Sequence, residues 1–488
     1  MIAKPHVDWL ALSPSLALLA AAGTLLMVAV FVPRVARRQA SAFVGFAGFV
    51  AAFVFAAFLD DRSRHGVTLV HDAMFRDKWS SLAQVLIAGA GAVAVLVSDR
   101  EHMRDEHVAE YYALLTAAGA GMAFFVQASN LMTLFLGLEW FSIALYVLTA
   151  IDIDLIGSLE AGLKYLVVGA VGSATLLFGS ALVYGITGQL SFDKIAASGH
   201  RHDAMFVVGL AMIIAGLAFK SSSAPFHQWT PDVYQGAPTP VTAFMSSGTK
   251  IAALVVTLRV LQTAFPQDGS LWRWAIAVIA IISLAWGNIA ALVQRNVKRI
   301  LAYSSVSHAG FMLTAIAAAN PLGARALLYY LIPYSAMSVG AFAVVAARER
   351  ELQAPVTLQN LAGFGWERPF LGISMWAFML GMLGFPLTGG FIGKFYVFAA
   401  AYERGWWWLI VAGVIATMIS AYYYLGIVRA MYFRDRAELQ LAPAGGSPPS
   451  DVLLDAGVLV ALVVTVGSFF AVQPLIDLAH SAAGSLPF

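Results

Sequence analysis

The stretch AFKSSSAPFHQWTPDVY (Ala218–Tyr234) interrupts one of the most apolar parts of the chain. It follows MFVVGLAMIIAGLAF (Met205–Phe219), fifteen residues without a charge. A lysine, three serines and a proline then intervene before apolar sequence resumes. Taken as one helix, segment 204–238 would be roughly 52 Å long, against a hydrocarbon core of about 30 Å. A proline with serines in such a run ends or kinks a helix. The stretch therefore predicts a membrane helix broken in its interior, with a cation at the break.

The rest of the chain agrees with a membrane setting. Of 488 residues, 60% are hydrophobic and 11% charged, more apolar surface than a soluble domain can keep from water. Fourteen apolar segments are long enough to span: 9–32, 41–59, 79–98, 108–126, 130–150, 159–185, 204–238, 239–262, 271–293, 297–318, 322–347, 368–402, 406–431 and 452–474. The expected fold class is an all-α polytopic membrane protein. The first segment is too long for a signal-peptide core and lacks a convincing cleavage site, so it is expected to remain as a helix. Polar connections at 60–78, 186–203, 348–367 and 432–451 are too short to hold a folded domain. The chain has no cysteine, which excludes iron–sulfur clusters, thiolate metal sites and disulfides. A net charge of +2 without a basic cluster gives no sign of nucleic acid.

Segment 368–402 is the second of anomalous length, and GFPLTGGFIGK interrupts it. Its start lies 164 residues after that of 204–238, and the segments on either side of each are offset by nearly the same amount. This spacing predicts two five-helix repeats, 108–262 and 263–431, each with a broken fourth helix. Residues 1–107 form a three-helix segment before them, and 432–488 a loop and a last helix after them. An odd number of helices per repeat inverts the second relative to the first. Inverted repeats with broken helices at matching positions mark an ion path. Lysine and arginine number fourteen in one set of alternate loops and ten in the other, which places both termini on the outer side.

Ionisable residues at mid-membrane are costly and each needs a reason. Glu139 in LFLGLEWFSIALYVL is nine residues into its segment, roughly 14 Å deep. Ser142 and Tyr146 continue the same helical face. Lys250 in FMSSGTKIAAL and His308 in YSSVSHAGFM are also central, with serines one turn away. Lys220 precedes the first break and Lys394 follows the second. Lys164 is only five residues into its segment, and Glu160 at i−4 or snorkelling accounts for it as well as function does. Arg259, near a segment end, reads as an interfacial anchor, and Trp406–Trp408 as an aromatic belt. Haem ligation by His227 and His308 is the weaker alternative. Proton relay fits best. Desolvation favours a neutral amine and an approaching carboxylate favours the ammonium. Three pKa units correspond to about 4 kcal/mol, and moving one charge against roughly 180 mV costs a similar amount.

Five stretches, APFHQWTPDVYQGAPTPVTAFMSSGTK, LGLEWFSIALYVL, SLEAGLKYLVVGA, AYSSVSHAGFM and GFPLTGGFIGKF, together resemble the N-subunit family of bacterial proton-pumping NADH:quinone oxidoreductase, respiratory complex I. The resemblance runs over roughly residues 70–430 in order. It implies an antiporter-like subunit in the bacterial inner membrane. Glu139 and Lys220 would be a coupled pair, Lys250 and His308 the central relay, Lys394 the terminal donor and Lys164 a supporting base. It also implies that NADH, FMN, iron–sulfur clusters and quinone belong to partner subunits, with neighbouring antiporter-like chains, lipid, water and protons as this chain's own contacts. A subunit of a multi-subunit Na⁺/H⁺ antiporter is the alternative. The absence of an aspartate at a break leaves sodium without an evident ligand.

Overall fold

The protein is described by a computed structural model covering residues 7–62, 67–70, 72–101, 104–199, 203–434 and 451–488. Most of the expected loop 432–451, and parts of 60–78 and 186–203, lie outside these residues. The fold is helical: α1 (Ser13–Phe31), α2 (Arg34–Arg62), α3 (Lys78–Ser98), α4 (Val108–Phe125), α5 (Leu131–Thr149), α6 (Ile156–Thr187) and α7 (Phe192–Ala197). Then come α8 (Ala204–Lys220), α9 (Thr230–Gly236), α10 (Thr239–Phe244), α11 (Lys250–Thr263), α12 (Gly269–Leu292), α13 (Val297–Ala318) and α14 (Pro321–Leu352). The chain ends with α15 (Phe364–Glu367), α16 (Pro369–Leu383), α17 (Gly389–Glu403), α18 (Trp407–Phe433), α19 (Val452–Phe470) and α20 (Val472–Ala483). One hairpin, β1 (Val67–Leu69) against β2 (Met74–Arg76), is the only sheet among the described residues.

Twelve helical stretches among the described residues are long and apolar enough to cross a membrane, and α8 and α16 are shorter apolar helices. Polar caps set several starts. Asp77, Asn130, Asn296 and Asn320 each accept a hydrogen bond from a backbone N–H in the first turn of α3, α5, α13 and α14. The stretch comprising α10, a π-helical turn at Met245–Thr249 and α11 is buried on all sides, and α13 and α14 nearly so. Helices α1, α2, α6, α18 and α19 keep most of their surface outward. Lipid already accommodates apolar surface, so the central helices are the ones that carry buried polar side chains such as Lys250, Arg259, Lys298 and His308, while the more apolar α1, α2, α6 and α19 face outward.

The two long segments are broken as expected, and their breaks share one geometry. Helix α8 closes with Ser222 in the left-handed region (φ 60°), Ser222 N–H on Phe219 O (3.0 Å) and Ser223 N–H on Ala218 O (2.9 Å). Helix α16 closes with Gly384 at φ 86°, Gly384 N–H on Gly381 O (3.0 Å) and Phe385 N–H on Leu380 O (2.9 Å). Both are Schellman closures, which satisfy the carbonyls of the preceding turn but leave that of the C-cap residue available.

Three expectations need correction. Segment 41–59 is part of a longer helix that starts at Arg34, because Arg38 donates to the Asp99 and Glu101 carbonyls (3.0 and 3.1 Å) and so draws the basic stretch into α2. Segment 452–474 divides at Ala471 into α19 and the separate, amphipathic α20. Arg259 is not an interfacial anchor. It is 1% exposed, donates to both oxygens of Asp77 (2.7 and 2.6 Å) and to Val126 O (2.8 Å), and so clamps α11 to the start of α3.

Candidate functional site

Four of the six candidate residues lie along one buried polar axis. Lys220 ends α8, where its ammonium donates to Ser142 Oγ (2.7 Å) and Tyr165 OH (3.0 Å). The ring centroids of Phe141, Tyr165 and Tyr146 lie 4.5, 5.1 and 5.9 Å from its Nζ. Ser142 in turn donates to Leu138 O on α5. Tyr165 is held in place by stacking on Trp229, with centroids 4.6 Å apart.

Lys250, fully buried, opens α11 directly after the π turn, and its Nζ donates to Ser221 O (2.9 Å). Ser221 is the C-cap residue of α8. Lys394 on α17 repeats the arrangement at the other break, donating to Leu383 O (2.9 Å) and more weakly to Thr417 Oγ1 (3.5 Å). Leu383 is the last residue of α16, directly before the left-handed Gly384. Each Schellman closure thus leaves one carbonyl at the negative end of a half-helix, and a buried lysine occupies it. The Lys394 ammonium also lies 4.4 Å from the Phe311 ring centroid.

His308 on α13 connects the two halves. Its Nδ1 is 2.8 Å from Tyr330 OH and its Nε2 3.0 Å from Tyr424 OH, which also bonds Ser304. The Tyr334 ring is 5.1 Å from the imidazole, and Tyr334 OH donates to Ser246 O (3.2 Å), one turn before Lys250. Phe311, one turn beyond His308, carries Lys394 over its ring. Between the first break and His308 lie three buried hydroxyls, of Ser222, Tyr234 and Ser305, that make no protein hydrogen bond among the described residues. Tyr234 OH faces the hydroxyls of Ser222, Ser305 and Thr249. Buried hydroxyls of this kind are ordinarily satisfied by ordered water.

Glu139 stands apart from Lys220. It is half-buried on α5, one turn before Ser142, and among the described residues its buried Oε1 has no hydrogen-bond partner. Among the described residues no ion pair joins it to Lys220. Lys164 is off the axis altogether. It pairs with Glu160 (2.7 Å) and Asp232 (2.8 Å), and Asp232 also binds Arg299. The ordinary i−4 pairing foreseen for Lys164 is therefore present, together with a second partner from α9.

The buried lysines face neutral oxygens and aromatic rings. Among the described residues Lys220, Lys250 and Lys394 form no ion pair, in contrast to Arg259 with its carboxylate. A buried charge without a counter-charge is costly, so such a group suits reversible protonation more than permanent charge. The sequence reading does not single out Tyr165, which meets Lys220, or Tyr330, Tyr334 and Tyr424, which surround His308. A usable signal was there, since a tyrosine in a buried helix generally needs a partner for its hydroxyl.

With this geometry in place, the likeness to known proteins is informative. The family described as NADH:quinone oxidoreductase/Mrp antiporter, TM, matches residues 128–420. A NADH-quinone oxidoreductase subunit N of Parvibaculum lavamentivorans is 41% identical over 413 residues, covering 84% of this chain and 83% of its own. A chain of respiratory complex I from Thermus thermophilus superposes with a TM-score of 0.80 at 31% identity, covering 96% of this chain and 99% of its own. A chain of the Mrp complex from Dietzia sp. has a TM-score of 0.82 at 22% identity, covering 97% of each chain, and shares the fold. The chain therefore belongs to the subunit N family of NADH-quinone oxidoreductases, within the NADH:quinone oxidoreductase/Mrp antiporter transmembrane family.

Proposed function

We propose that this chain is a proton-translocating membrane subunit of NADH:quinone oxidoreductase, in which Lys220, Lys250, His308 and Lys394 pass protons along the buried axis. The observation that carries this reading is the pair of matched breaks, each presenting a C-cap carbonyl to a buried lysine that pairs with no carboxylate among the described residues. Glu139 modulates Lys220 through its field, and closing or opening their separation switches the amine between charged and neutral forms. Lys164 acts as a supporting base from outside the axis, paired with Glu160 and Asp232.

The architecture that goes with this reading has fourteen spans, with inverted repeats at 108–262 and 263–431 between an N-terminal three-helix segment and a C-terminal helix. The chain sits in a bacterial inner membrane with its termini on the periplasmic side. NADH, FMN, iron–sulfur clusters and quinone are bound by partner subunits, and neighbouring antiporter-like chains flank this one.

A subunit of a multi-subunit Na⁺/H⁺ antiporter is the second reading, supported by the shared fold of the Mrp chain. The acidic residue nearest the first break, Asp232, is engaged by Lys164 and Arg299, which does not favour a sodium site there. Purification from native membranes in mild detergent tests the choice. The expected result is co-purification with chains that carry flavin, iron–sulfur clusters and a quinone site. Isolation as a stable homodimer that exchanges Na⁺ for H⁺ in liposomes would overturn the proposal.

A further inference from the structure

A cavity of about 550 Å³ opens where α10 and α13 begin and α14 ends. Charges around its rim are matched to one another. Arg350 binds Glu101 (2.9 Å) and Asp451 (2.7 Å), and Arg104 binds Asp154 (2.6 Å). Deeper in, Lys298 is 5% exposed and donates to Ala237 O (2.9 Å) and Thr239 Oγ1 (3.0 Å). Its Nζ lies 3.7 Å from Glu349 Oε1, and the Thr239 hydroxyl donates to Glu349 Oε2. None of these three residues belongs to the buried axis.

A lysine–glutamate pair at helix ends can serve as a clamp, as Arg259 and Asp77 do elsewhere. Two features set this one apart. First, Lys298, Glu349 and Thr239 all line the cavity, whereas Arg259 and Asp77 are 1% and 3% exposed and each other's bidentate partner. Second, a polar seam leads inward from it. Thr239, Thr242, Ser246 and Lys250 recur at spacings of three, four and four, one face of α10 and the turn that continues it. On α14, Ser338 lies eleven residues before Glu349 and donates to Ser246 Oγ (2.7 Å). Tyr334, one turn deeper, reaches Ser246 O and stands beside His308. The distance from Thr239 to Lys250 is also eleven residues, roughly 16 Å of helix, as expected between a membrane surface and its midplane.

We propose that Glu349, held by Lys298 and Thr239 at the inner wall of this vestibule, is the proton-loading carboxylate of the chain. It takes a proton from vestibule water at a carboxylate oxygen and releases it along the α10–α14 seam towards Lys250. No electrons move and the carboxylate is regenerated. This rests on the proton-relay reading.

The test uses the intact complex in inverted membrane vesicles, with NADH-driven proton uptake normalised to assembled complex. Glu349→Ala is expected to slow uptake about tenfold, a modest loss for a proton-transfer group. Formate added to the medium, a small acid that fits the space vacated, is expected to restore uptake. Glu349→Gln keeps the side-chain shape and can still accept the Thr239 hydroxyl through its amide oxygen, but it loses the charge facing Lys298 and carries no proton. It is expected to assemble normally and to pump slowly. Normal uptake by either variant overturns the proposal, as does a loss in Glu349→Ala that formate leaves unchanged, since that outcome marks a clamp. Failure of the relay itself would show separately, as normal uptake by Lys394→Met, which touches nothing in the vestibule.

Discussion

Replacing Lys394 by arginine separates a proton carrier from a fixed counter-charge. Lys394 donates to Leu383 O at 2.9 Å and lies 4.4 Å from the Phe311 centroid. A hydrogen bond involving a charged group contributes roughly 1.5–3 kcal/mol, and a desolvated cation–π contact about 2 kcal/mol. A guanidinium can keep both contacts, so the Arg variant should assemble close to normally. Methionine loses them and leaves the Leu383 carbonyl without its partner, which costs roughly 1–3 kcal/mol. Release of a proton changes far more. Reference lysine and arginine differ by about 2–3 pKa units, which makes deprotonation of the guanidinium harder by roughly 3–5 kcal/mol, or some hundred- to thousandfold. Lys394→Arg should therefore be present in assembled complex but fail to pass protons, and Lys394→Met should fail as well. The assay is NADH-driven proton uptake into inverted vesicles, with assembly quantified on native gels. If Lys394→Arg pumped like the wild type, a permanent positive charge would be sufficient and the carrier role would be wrong.

Glu139→Gln and Lys220→Met should each depress uptake, and the double variant should be no worse than the poorer single one, because groups acting as one unit lose their function once. Independent multiplication of the two effects would refute the coupling of Glu139 to Lys220. Tyr424→Phe removes the hydroxyl shared by His308 and Ser304; it should destabilise the chain by only about 1–3 kcal/mol but lower uptake per assembled complex several-fold. Unchanged uptake would take Tyr424 off the path. Asp77→Ala leaves the buried Arg259 guanidinium without its carboxylate, a loss of roughly 3–5 kcal/mol. The expected result is less assembled complex on mild heating, with uptake per assembled complex unchanged. A pumping defect in what remains would make this pair part of the path.

The sequence by itself determined the membrane class, most helix positions and both breaks. Those signals are local: a long apolar run, a proline with serines, a glycine cluster around Pro386. It also identified Lys220, Lys250, His308 and Lys394 as residues needing a reason, since a charge in an apolar run stands out whatever surrounds it. Their relation to one another was decided by tertiary structure. That Lys250 reaches Ser221 O, and Lys394 Leu383 O, depends on how separate helices pack around two closures, which no sequence spacing encodes. The same holds for Arg259, whose partner Asp77 lies far away in the chain; near a segment end, an arginine that snorkels and one that is buried have the same local sequence. Tyr330, Tyr334 and Tyr424 cannot be told from apolar filling in the sequence, because a tyrosine shows its polar role only when an acceptor or donor meets its hydroxyl. The helix breaks were thus legible in one dimension, while the hydrogen-bond partners that make a path of them exist only in three.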